Sequence, residues 1–272
     1  MILTLERTKG KREEESENES RNESLNEKVP IKIRDSSSTF IYCTKGPTFA
    51  PMESPDTRLH LLTAQDSIAS ALVAQLRDMA LQRDAHRYRA NTEKLGRIAA
   101  YEISKSLAYK TIDVQTQLGI AQARVLAEVP VLVVVLRAGL PFYNGFLDMF
   151  PESENAFIGA YRKKPNDDLS FEIAMDYVSA PSLAGKTVLL IDPMLATGKS
   201  LVRSYEVLLA HGKPAKVVVA TLIASGEGIG YVRAQMPDAE IYTFAIDAEL
   251  NAHKYIVPGL GDAGDLSFGV KL

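Results

Sequence analysis

The stretch Ile191–Ser200, IDPMLATGKS, has the residue types of a phosphate-binding turn. It begins at the end of KTVLLI, which is predicted to be a buried strand, and ends at the start of SLVRSYEVLLAHG, whose apolar residues recur at helical spacing until Gly212. A tight turn from a strand into a helix presents backbone N–H groups at the helix N-terminus, where an anion is stabilised. The hydroxyls of Thr197 and Ser200 would add donors. The stretch therefore predicts an anion site, with simple helix capping by one of these hydroxyls as the alternative.

The same stretch ends in the letters GKS, which also close a nucleotide-binding P-loop. That motif reads G-x-x-x-x-G-K-[ST], and the place of its first glycine is taken here by Pro193. Proline fixes φ and donates no N–H, so it cannot form the glycine-dependent turn that cradles a nucleotide phosphate. The sequence therefore excludes a P-loop and argues against a kinase.

Two arginines follow other apolar runs of the chain, and one aspartate directly follows the strand that leads into the turn. Arg137 comes directly after VPVLVVVL, and Arg162 comes directly after FIGAY. Guanidinium groups at such positions form bidentate pairs with phosphate oxygens, whereas the alternatives are a carboxylate partner for Arg137 and a solvated basic loop for Arg162. Asp192, at the end of its strand, is a candidate for binding sugar hydroxyls or a hydrated metal ion. Together these residues favour a phosphate-containing ligand.

Strands and helices must alternate to bring these residues together. Amphipathic helices are predicted from Ile68 to Met79 and from a cap at Asn91 or Thr92 onwards. Strands are then predicted at 129–136, 156–161, 171–178, 186–191, 216–224 and 240–246, and helices at about 141–149, 200–211 and 226–236. This alternation predicts an α/β fold with a mainly parallel sheet flanked by helices. Ligands bind beyond the carboxyl ends of strands in such sheets, which is where the candidate residues occur.

Composition narrows the class of protein. The 272 residues include 31 basic and 34 acidic side chains. The sequence has no basic stripe, which argues against nucleic acid as a partner. The longest apolar run is too short to cross a membrane. Cys43 is the single cysteine, which rules out an internal disulfide and favours a cytoplasmic location. The four histidines do not have the spacing of a metal site: His60, His86, His211 and His253.

The two ends of the chain differ in character. Residues 1–62 are rich in Glu, Ser, Asn and Lys and predict a disordered extension, so the folded domain is predicted at 63–272. Within it, residues 247–265 read DAELNAHKYIVPGLGDAGD, with apolar side chains between glycines and a proline. Such a loop presents backbone N–H and C=O groups to a planar ligand, or alternatively only packs against the domain.

The segments LRAG, YR, DPMLATG and LNAHKYIVPGLGDAGD, in this order, resemble the uracil phosphoribosyltransferase family of the type I phosphoribosyltransferase fold. The resemblance extends from about Asp66 to the C-terminus and includes LRD at 76–78 and the helix that contains RYR at 87–89 and YEIS at 101–104. It implies a pentosyltransferase of pyrimidine salvage, which converts uracil and 5-phospho-α-D-ribose 1-diphosphate (PRPP) to UMP and diphosphate. It also implies a hood over the sheet edge, formed by residues from about 247 to 272, and a homo-oligomer built from dimers.

The resemblance further implies a role for each matching residue. Arg137 and Arg162 would bind the diphosphate, and Asp192 would bind the ribose hydroxyls; these three are the expected catalytic residues. The full PRPP site would consist of Arg137, Arg162, Asp192, Pro193, Met194, Leu195, Ala196, Thr197, Gly198, Lys199, Ser200 and Asp262. The uracil site would consist of Ile256, Gly261, Asp262 and Ala263. Mg²⁺ is expected to arrive with the diphosphate rather than in a protein metal site, because Asp192 is followed by proline where many relatives have a second acid.

Two residues depart from the family pattern, and two other functions stay open. Lys199 replaces a small residue, and Leu266 replaces a basic one. The alternatives are a non-catalytic regulator that senses uracil nucleotides on the same fold, and a phosphoribosyltransferase for another base. The intact hood sequence argues against another base, and the near-neutral charge argues against an RNA-binding regulator. The resemblance leaves open whether GTP is an effector.

Overall fold

The computed structural model describes residues 57–162 and 173–270, and two short strands before them, β1 (Lys28–Ile31) and β2 (Ile41–Thr44), which pair antiparallel. The chain divides into two units, Met1–Asp56 and Thr57–Leu272. The disorder predicted for residues 1–62 therefore falls largely outside the described residues, and for those residues it stays a prediction.

Within the described residues of the second unit there are twelve further strands. In chain order they are β3 (Leu59–Leu61), β4 (Tyr109–Gln115), β5 (Ile120–Leu126), β6 (Val131–Leu136), β7 (Asn155–Arg162), β8 (Ile173–Ser179), β9 (Thr187–Ile191), β10 (Met194–Leu195), β11 (Lys216–Ser225), β12 (Glu240–Asp247), β13 (Glu249–Leu250) and β14 (Ile256–Val257). The central sheet has the strand order β3-β12-β11-β9-β6-β7-β8, and β10 pairs with β11 beside this path. Two separate antiparallel pairs, β4–β5 and β13–β14, complete the set.

The part of this unit that the structure describes also contains six α-helices. They are α1 (Ile68–Arg77), α2 (Ala85–Ser104), α3 (Leu140–Met149), α4 (Lys199–Leu208), α5 (Gly226–Gln235) and α6 (Ala263–Phe268), and a 3₁₀ turn at Leu209–His211 follows α4. The predicted cap of the second helix is wrong, because Asp84 caps α2 and both Asn91 and Thr92 are buried inside it. No helix within residues 57–162 and 173–270 is long and apolar enough to span a membrane.

The sheet confirms the predicted fold class. All pairs along its path are parallel except β7–β8, which is antiparallel at one edge. From β6 the chain continues to β7 on one side and later returns as β9 on the other side. The order of the strands therefore reverses between β6 and β9, and α/β folds bind ligands at such a switch point.

Both faces of the sheet are covered by helices. In β6, Leu132 and Val134 lie in a buried cluster with residues of α1, α2 and α3. Val131, Val133 and Val135 alternate with them and lie in a second cluster with residues of α4 and α5. This alternation explains why the whole strand is apolar, since side chains on each of its faces lack access to water.

Several elements of the second unit were not predicted from the sequence, among them β3, the hairpin β4–β5 and α6. Leu59–Leu61 already belongs to the sheet, pairing with β12, so the boundary predicted at residue 63 leaves a strand of the domain outside it. The hairpin β4–β5 carries polar and apolar side chains on both faces, so no buried face marked it. Helix α6 has only six residues, which is too short to show a helical period.

Candidate active site

The carboxyl edge of the sheet brings together residues that are far apart in the sequence. Arg137 directly follows β6, and Asp192 directly follows the neighbouring strand β9. Ser225 ends β11, Asp247 ends β12, and Arg162 ends β7. Because β6, β7, β9, β11 and β12 run parallel, all of these residues lie at one edge of the sheet. The structure thus places them at the predicted edge.

Residues Asp192–Ser200 form a turn that we call the phosphate turn. The backbone N–H of Asp192 still donates to Ala220 in β11 at 3.1 Å, and its carboxylate accepts from the N–H of Met194 at 3.2 Å. Met194 and Leu195, as β10, then pair in parallel with Ile223 and Ala224. The turn is therefore paired with the sheet as far as Leu195.

Helix α5 supports the phosphate turn from behind. The Ser225 hydroxyl donates to the Ala196 carbonyl at 2.5 Å and accepts from the Gly228 N–H at 2.9 Å. Gly198 has φ of +74°, and a Cβ there would lie 2.9 Å from the Gly228 carbonyl oxygen. Only glycine combines this backbone conformation with this close approach.

The capping alternative for Thr197 and Ser200 is not what the structure shows. The N-cap of α4 is Gly198, and no side chain makes a capping hydrogen bond there. Thr197 accepts only a long hydrogen bond of 3.4 Å from the N–H of Lys199. A small pocket adjoins this turn and is lined by Asp192, Met194, Leu195, Ala196, Thr197, Gly198, Ser200 and Leu201. The first amides of α4 thus retain the capacity to bind an anion.

Arg137 lies between the sheet and the C-terminal segment. Its Nη2 donates to Asp265 Oδ1 at 2.6 Å and to the Gly269 carbonyl at 2.8 Å, and its side chain is 33% exposed. Its Nε is buried without a hydrogen-bond partner in the described structure. Arg137 thus has the carboxylate partner that the sequence left open as an alternative, supplied by the hood instead of by a strand end.

Arg162 is only partly described. Its backbone ends β7, opposite Ile173 of β8. The loop after it lies outside the described residues, so the predicted contact of Arg162 with diphosphate stays a prediction.

The predicted uracil residues lie in one loop of the hood, which comprises residues from 247 onwards. Ile256 is buried in β14, and the backbone then passes through Gly259 and Gly261, whose φ angles are +58° and +93°. Asp262 caps α6, since its Oδ1 accepts from the N–H groups of Gly264 at 2.8 Å and Asp265 at 2.9 Å. This cap begins a helix where the sequence indicated an irregular loop.

Tyr88 of α2 is a buried polar residue near the hood that sequence reasoning missed. It is 1% exposed, and no described residue hydrogen-bonds to its hydroxyl. Burial raises the pKa of this phenol well above its usual value, and the negative charge of Asp262 raises it further. The hydroxyl is therefore neutral throughout the physiological pH range. The segment RYR around it was part of the family resemblance, but the pattern assigned it no function.

Metal ligands are sparse in this region. Among the residues that the structure describes, no three His, Cys, Asp or Glu side chains come together as a metal site. Asp192 is the one carboxylate of the phosphate turn.

Comparisons with known proteins agree with this geometry. A family model described as "Uracil phosphoribosyltransferase" matches residues 63–270. A protein of that name from Porphyromonas gingivalis is 45% identical over 78% of this chain and 98% of its own. Another, from Methanothermobacter thermautotrophicus, is 40% identical over 68% of this chain and 85% of its own. The solved structure of the AQ2163 protein from Aquifex aeolicus has a TM-score of 0.70 and 31% identity, and covers 79% of this chain and 99% of its own.

Proposed function

This chain belongs to the uracil phosphoribosyltransferase family, and we propose on that basis that it converts uracil and PRPP to UMP and diphosphate in pyrimidine salvage. One structural observation carries the proposal: the phosphate turn, Arg137 and the hood meet at the carboxyl edge of the sheet. The phosphate turn matches the 5′-phosphate of UMP, the guanidinium of Arg137 matches the diphosphate leaving group, and the backbone groups of the hood match the base.

The phosphate turn would bind the sugar phosphate. The backbone N–H groups of Ala196–Ser200 provide donors for the 5′-phosphate at the start of α4, and the helix dipole favours its negative charge. Lys199, which is exposed at this point, adds a positive charge that the family pattern lacks. The Asp192 carboxylate would accept hydrogen bonds from the ribose hydroxyls.

Arg137 and Arg162 would bind the diphosphate. Arg137 already pairs with the Asp265 carboxylate, so its guanidinium is held in place before any substrate arrives. Diphosphate oxygens are the same kind of acceptor, and they would replace or share this carboxylate. Arg137 would then stabilise the charge that builds on the leaving group.

The hood would bind the base. The backbone of Ile256 and the run Gly261–Ala263 would pair with the N–H and C=O groups of uracil, and Asp262 would also approach the ribosyl group. Gly259 and Gly261 have positive φ, which sets the path of the backbone between these contacts. Since uracil has both donors and acceptors on its edge, a base with a different pattern would leave buried backbone groups unpaired.

The proposed reaction forms the bond from uracil N1 to the anomeric carbon as the bond from that carbon to the diphosphate oxygen breaks. The bonding electrons leave with diphosphate, and the N1 proton is lost. Positive charge builds on the ribose and negative charge on the diphosphate, so positioning and electrostatics contribute most of the rate. The hood would exclude water, which would otherwise compete with N1 as the nucleophile.

The residues present fit a Mg²⁺ ion that is bound mainly by the substrate. The phosphate turn offers a single carboxylate, Asp192, because Pro193 follows it. Mg²⁺ in phosphate-using sites keeps water ligands and takes few from the protein, so the diphosphate and water would supply most of its ligands and Asp192 would be the carboxylate of the turn that helps to hold it. When bound, the ion would reduce the negative charge of the diphosphate.

The exposed hairpin β4–β5 supports a homo-oligomer built from dimers. Two-stranded hairpins are marginally stable alone. This one exposes Ile112, Val114, Leu118 and Ile120, with Leu118 fully exposed. A second copy of the chain would cover these side chains, and sedimentation at several concentrations would measure the assembly.

We further propose a cytoplasmic location, in keeping with a single cysteine. Adding GTP to the assay described below tests whether GTP is an effector.

The test is formation of UMP from labelled uracil, PRPP and Mg²⁺, with cytosine, orotate and hypoxanthine as competing bases. Arg137→Ala should lose most of the turnover, because it removes the diphosphate partner. Arg97→Ala is the matched control: Arg97 also pairs with a carboxylate at 2.6 Å, that of Asp148, but lies on the surface between α2 and α3. Turnover with another base would assign another substrate. Binding of UMP without turnover of any base would identify a nucleotide sensor instead.

A further inference from the structure

An ion pair between a buried aspartate and a partly buried arginine joins α1 to the end of β12. Arg77, the last residue of α1, donates from Nη1 to Asp247 Oδ2 and from Nη2 to Asp247 Oδ1, both at 2.8 Å. Asp247 is only 7% exposed. Both carboxylate oxygens are thus bound by the planar fork of one guanidinium, which is the strongest geometry for such a pair.

The same two side chains also bind both backbone polar groups of Gly259 in the hood. Arg77 Nη1 donates to the Gly259 carbonyl at 3.1 Å, and the Gly259 N–H donates to Asp247 Oδ2 at 2.9 Å. A Cβ on Gly259 would lie 2.1 Å from the Ile256 carbonyl oxygen, so this backbone is tightly folded. The ion pair therefore holds one residue of the hood loop at its donor and at its acceptor.

Gly259 lies between the two parts of the proposed uracil site, Ile256 and Gly261–Ala263. The next residue, Leu260, is buried in the core, and the helix cap at Asp262 follows soon after. Between Ile256 and the cap, Gly259 is the residue whose backbone donor and acceptor are both bound by side chains from other elements. A shift at Gly259 would move the two halves of the base site relative to each other.

Stability alone is a weak explanation for this ion pair. Removing the Asp247 carboxylate and most of the Arg77 side chain from water is costly, and such a pair is often no more stabilising than apolar side chains of the same volume. What apolar side chains cannot do is bind the N–H and C=O of Gly259 in a fixed orientation.

We infer that Arg77 and Asp247 are positioning residues for uracil: they set the geometry of the hood loop and do not contact the substrate themselves. This inference rests on the proposed function. It assigns to LRD at 76–78 and to the aspartate at the start of the hood a role in base recognition, separate from the phosphate turn.

The test compares two ligands that differ only in the base. Ribose 5-phosphate reports on the phosphate turn, whereas UMP reports on the turn and the hood together. In Arg77→Lys and in Asp247→Asn, we expect UMP affinity measured by calorimetry to fall by about tenfold or more, while ribose 5-phosphate affinity changes by less than about twofold. In steady-state assays, the KM for uracil should rise and the KM for PRPP should stay nearly constant.

The control is Arg97→Lys, which weakens the surface ion pairs of Arg97 with Glu93 and Asp148. It should change neither the affinity for UMP nor the affinity for ribose 5-phosphate. If a single variant does not fold, the double variant Arg77→Gln/Asp247→Asn removes both charges and keeps hydrogen-bonding groups beside Gly259. Equal loss of both ligands, or no selective loss of UMP in a folded variant, would overturn the inference. Failure of the proposed function looks different, because then the unaltered chain would not form UMP at all.

Discussion

The phosphate turn and the hood lie at the same edge of the sheet, but the side chains that fix them come from different distances along the chain. The turn is formed by one continuous stretch, and a side chain that supports it, the Ser225 hydroxyl, lies only 29 residues from Ala196. The hood is tied by side chains from distant elements: Arg77 to Asp247 across 170 residues, and Arg137 to Asp265 across 128 residues. Each region would bind a different half of the product UMP.

This difference shows how one site can combine a locally specified part with a globally specified part. The turn requires a strand, a left-handed glycine and the start of a helix, and the elements that pack against it, β11 and α5, follow soon after it in the chain. The hood requires α1, β6 and β12 to be in their final positions before its loop has partners. Because regions with few local contacts open more readily than the rest of a fold, the hood should be the part that yields to substitution without loss of the turn.

The largest effect should come from breaking the turn itself. Gly198→Ala places a Cβ at positive φ and 2.9 Å from the Gly228 carbonyl oxygen, so the backbone must shift. We expect PRPP and ribose 5-phosphate to bind about 100-fold more weakly, because a shift of about 1 Å disturbs several amides at once. Calorimetry with both ligands measures this.

A matched control for that variant is Gly185→Ala. Gly185 has nearly the same φ, +73°, but a Cβ there meets no atom within 4 Å. Both variants should lose about 1 kcal/mol of unfolding free energy from the strained backbone. If Gly185→Ala weakened PRPP binding equally, the close approach to α5 would not be the cause.

An intermediate effect is expected where the two regions meet. Asp265→Asn replaces the carboxylate that pairs with Arg137 by a neutral amide, so diphosphate should bind more tightly. We expect only about a fivefold gain in affinity, because the pair is partly exposed and its charges are partly screened. Inhibition by diphosphate measures this. Weaker binding would instead show that Asp265 serves mainly to orient Arg137.

A smaller effect is expected for Lys199, which lies exposed at the start of α4. Lys199→Ala should weaken ribose 5-phosphate binding by about twofold to threefold at low salt, and the difference should vanish at high salt, because exposed charges are screened. Titrations at two ionic strengths measure this. A difference that persists at high salt would indicate direct contact with the phosphate.

The smallest effect at neutral pH should come from Tyr88→Phe beneath the hood. The hydroxyl has no described partner, so its loss should change the free energy of unfolding at pH 7 by less than about 1 kcal/mol. The pKa of this phenol is raised above its usual 10.0 in the folded state, so folding loses stability as the pH rises above 10, where the unfolded phenol ionises. Urea denaturation at pH 9 and above pH 10 should show a shallower loss for Tyr88→Phe than for the unaltered chain.

Much of the fold was readable from the sequence because its strands are buried on both faces. Runs such as 129–136 and 216–224 are mostly apolar and rich in β-branched residues, and these predictions agree with β6 and β11 to within two residues. The hairpin β4–β5 was not predicted, since its strands have no buried face within the chain. Ile68 and Met79, expected on the buried face of the first helix, are exposed, because α1 ends at Arg77 and buries Ala69, Leu72, Val73 and Leu76.

By itself, the sequence determined the phosphate turn, the absence of a P-loop at Pro193, and the order of strands and helices. Each of these depends on neighbours in the chain, so residue types and spacing are sufficient. Only the tertiary structure decided that Arg137 pairs with Asp265 and that Arg77 and Asp247 bind both backbone groups of Gly259. Arg137 and Asp265 are 128 residues apart, and Arg77 is 170 residues from Asp247, so only the folded sheet and its helices bring these side chains within hydrogen-bonding distance.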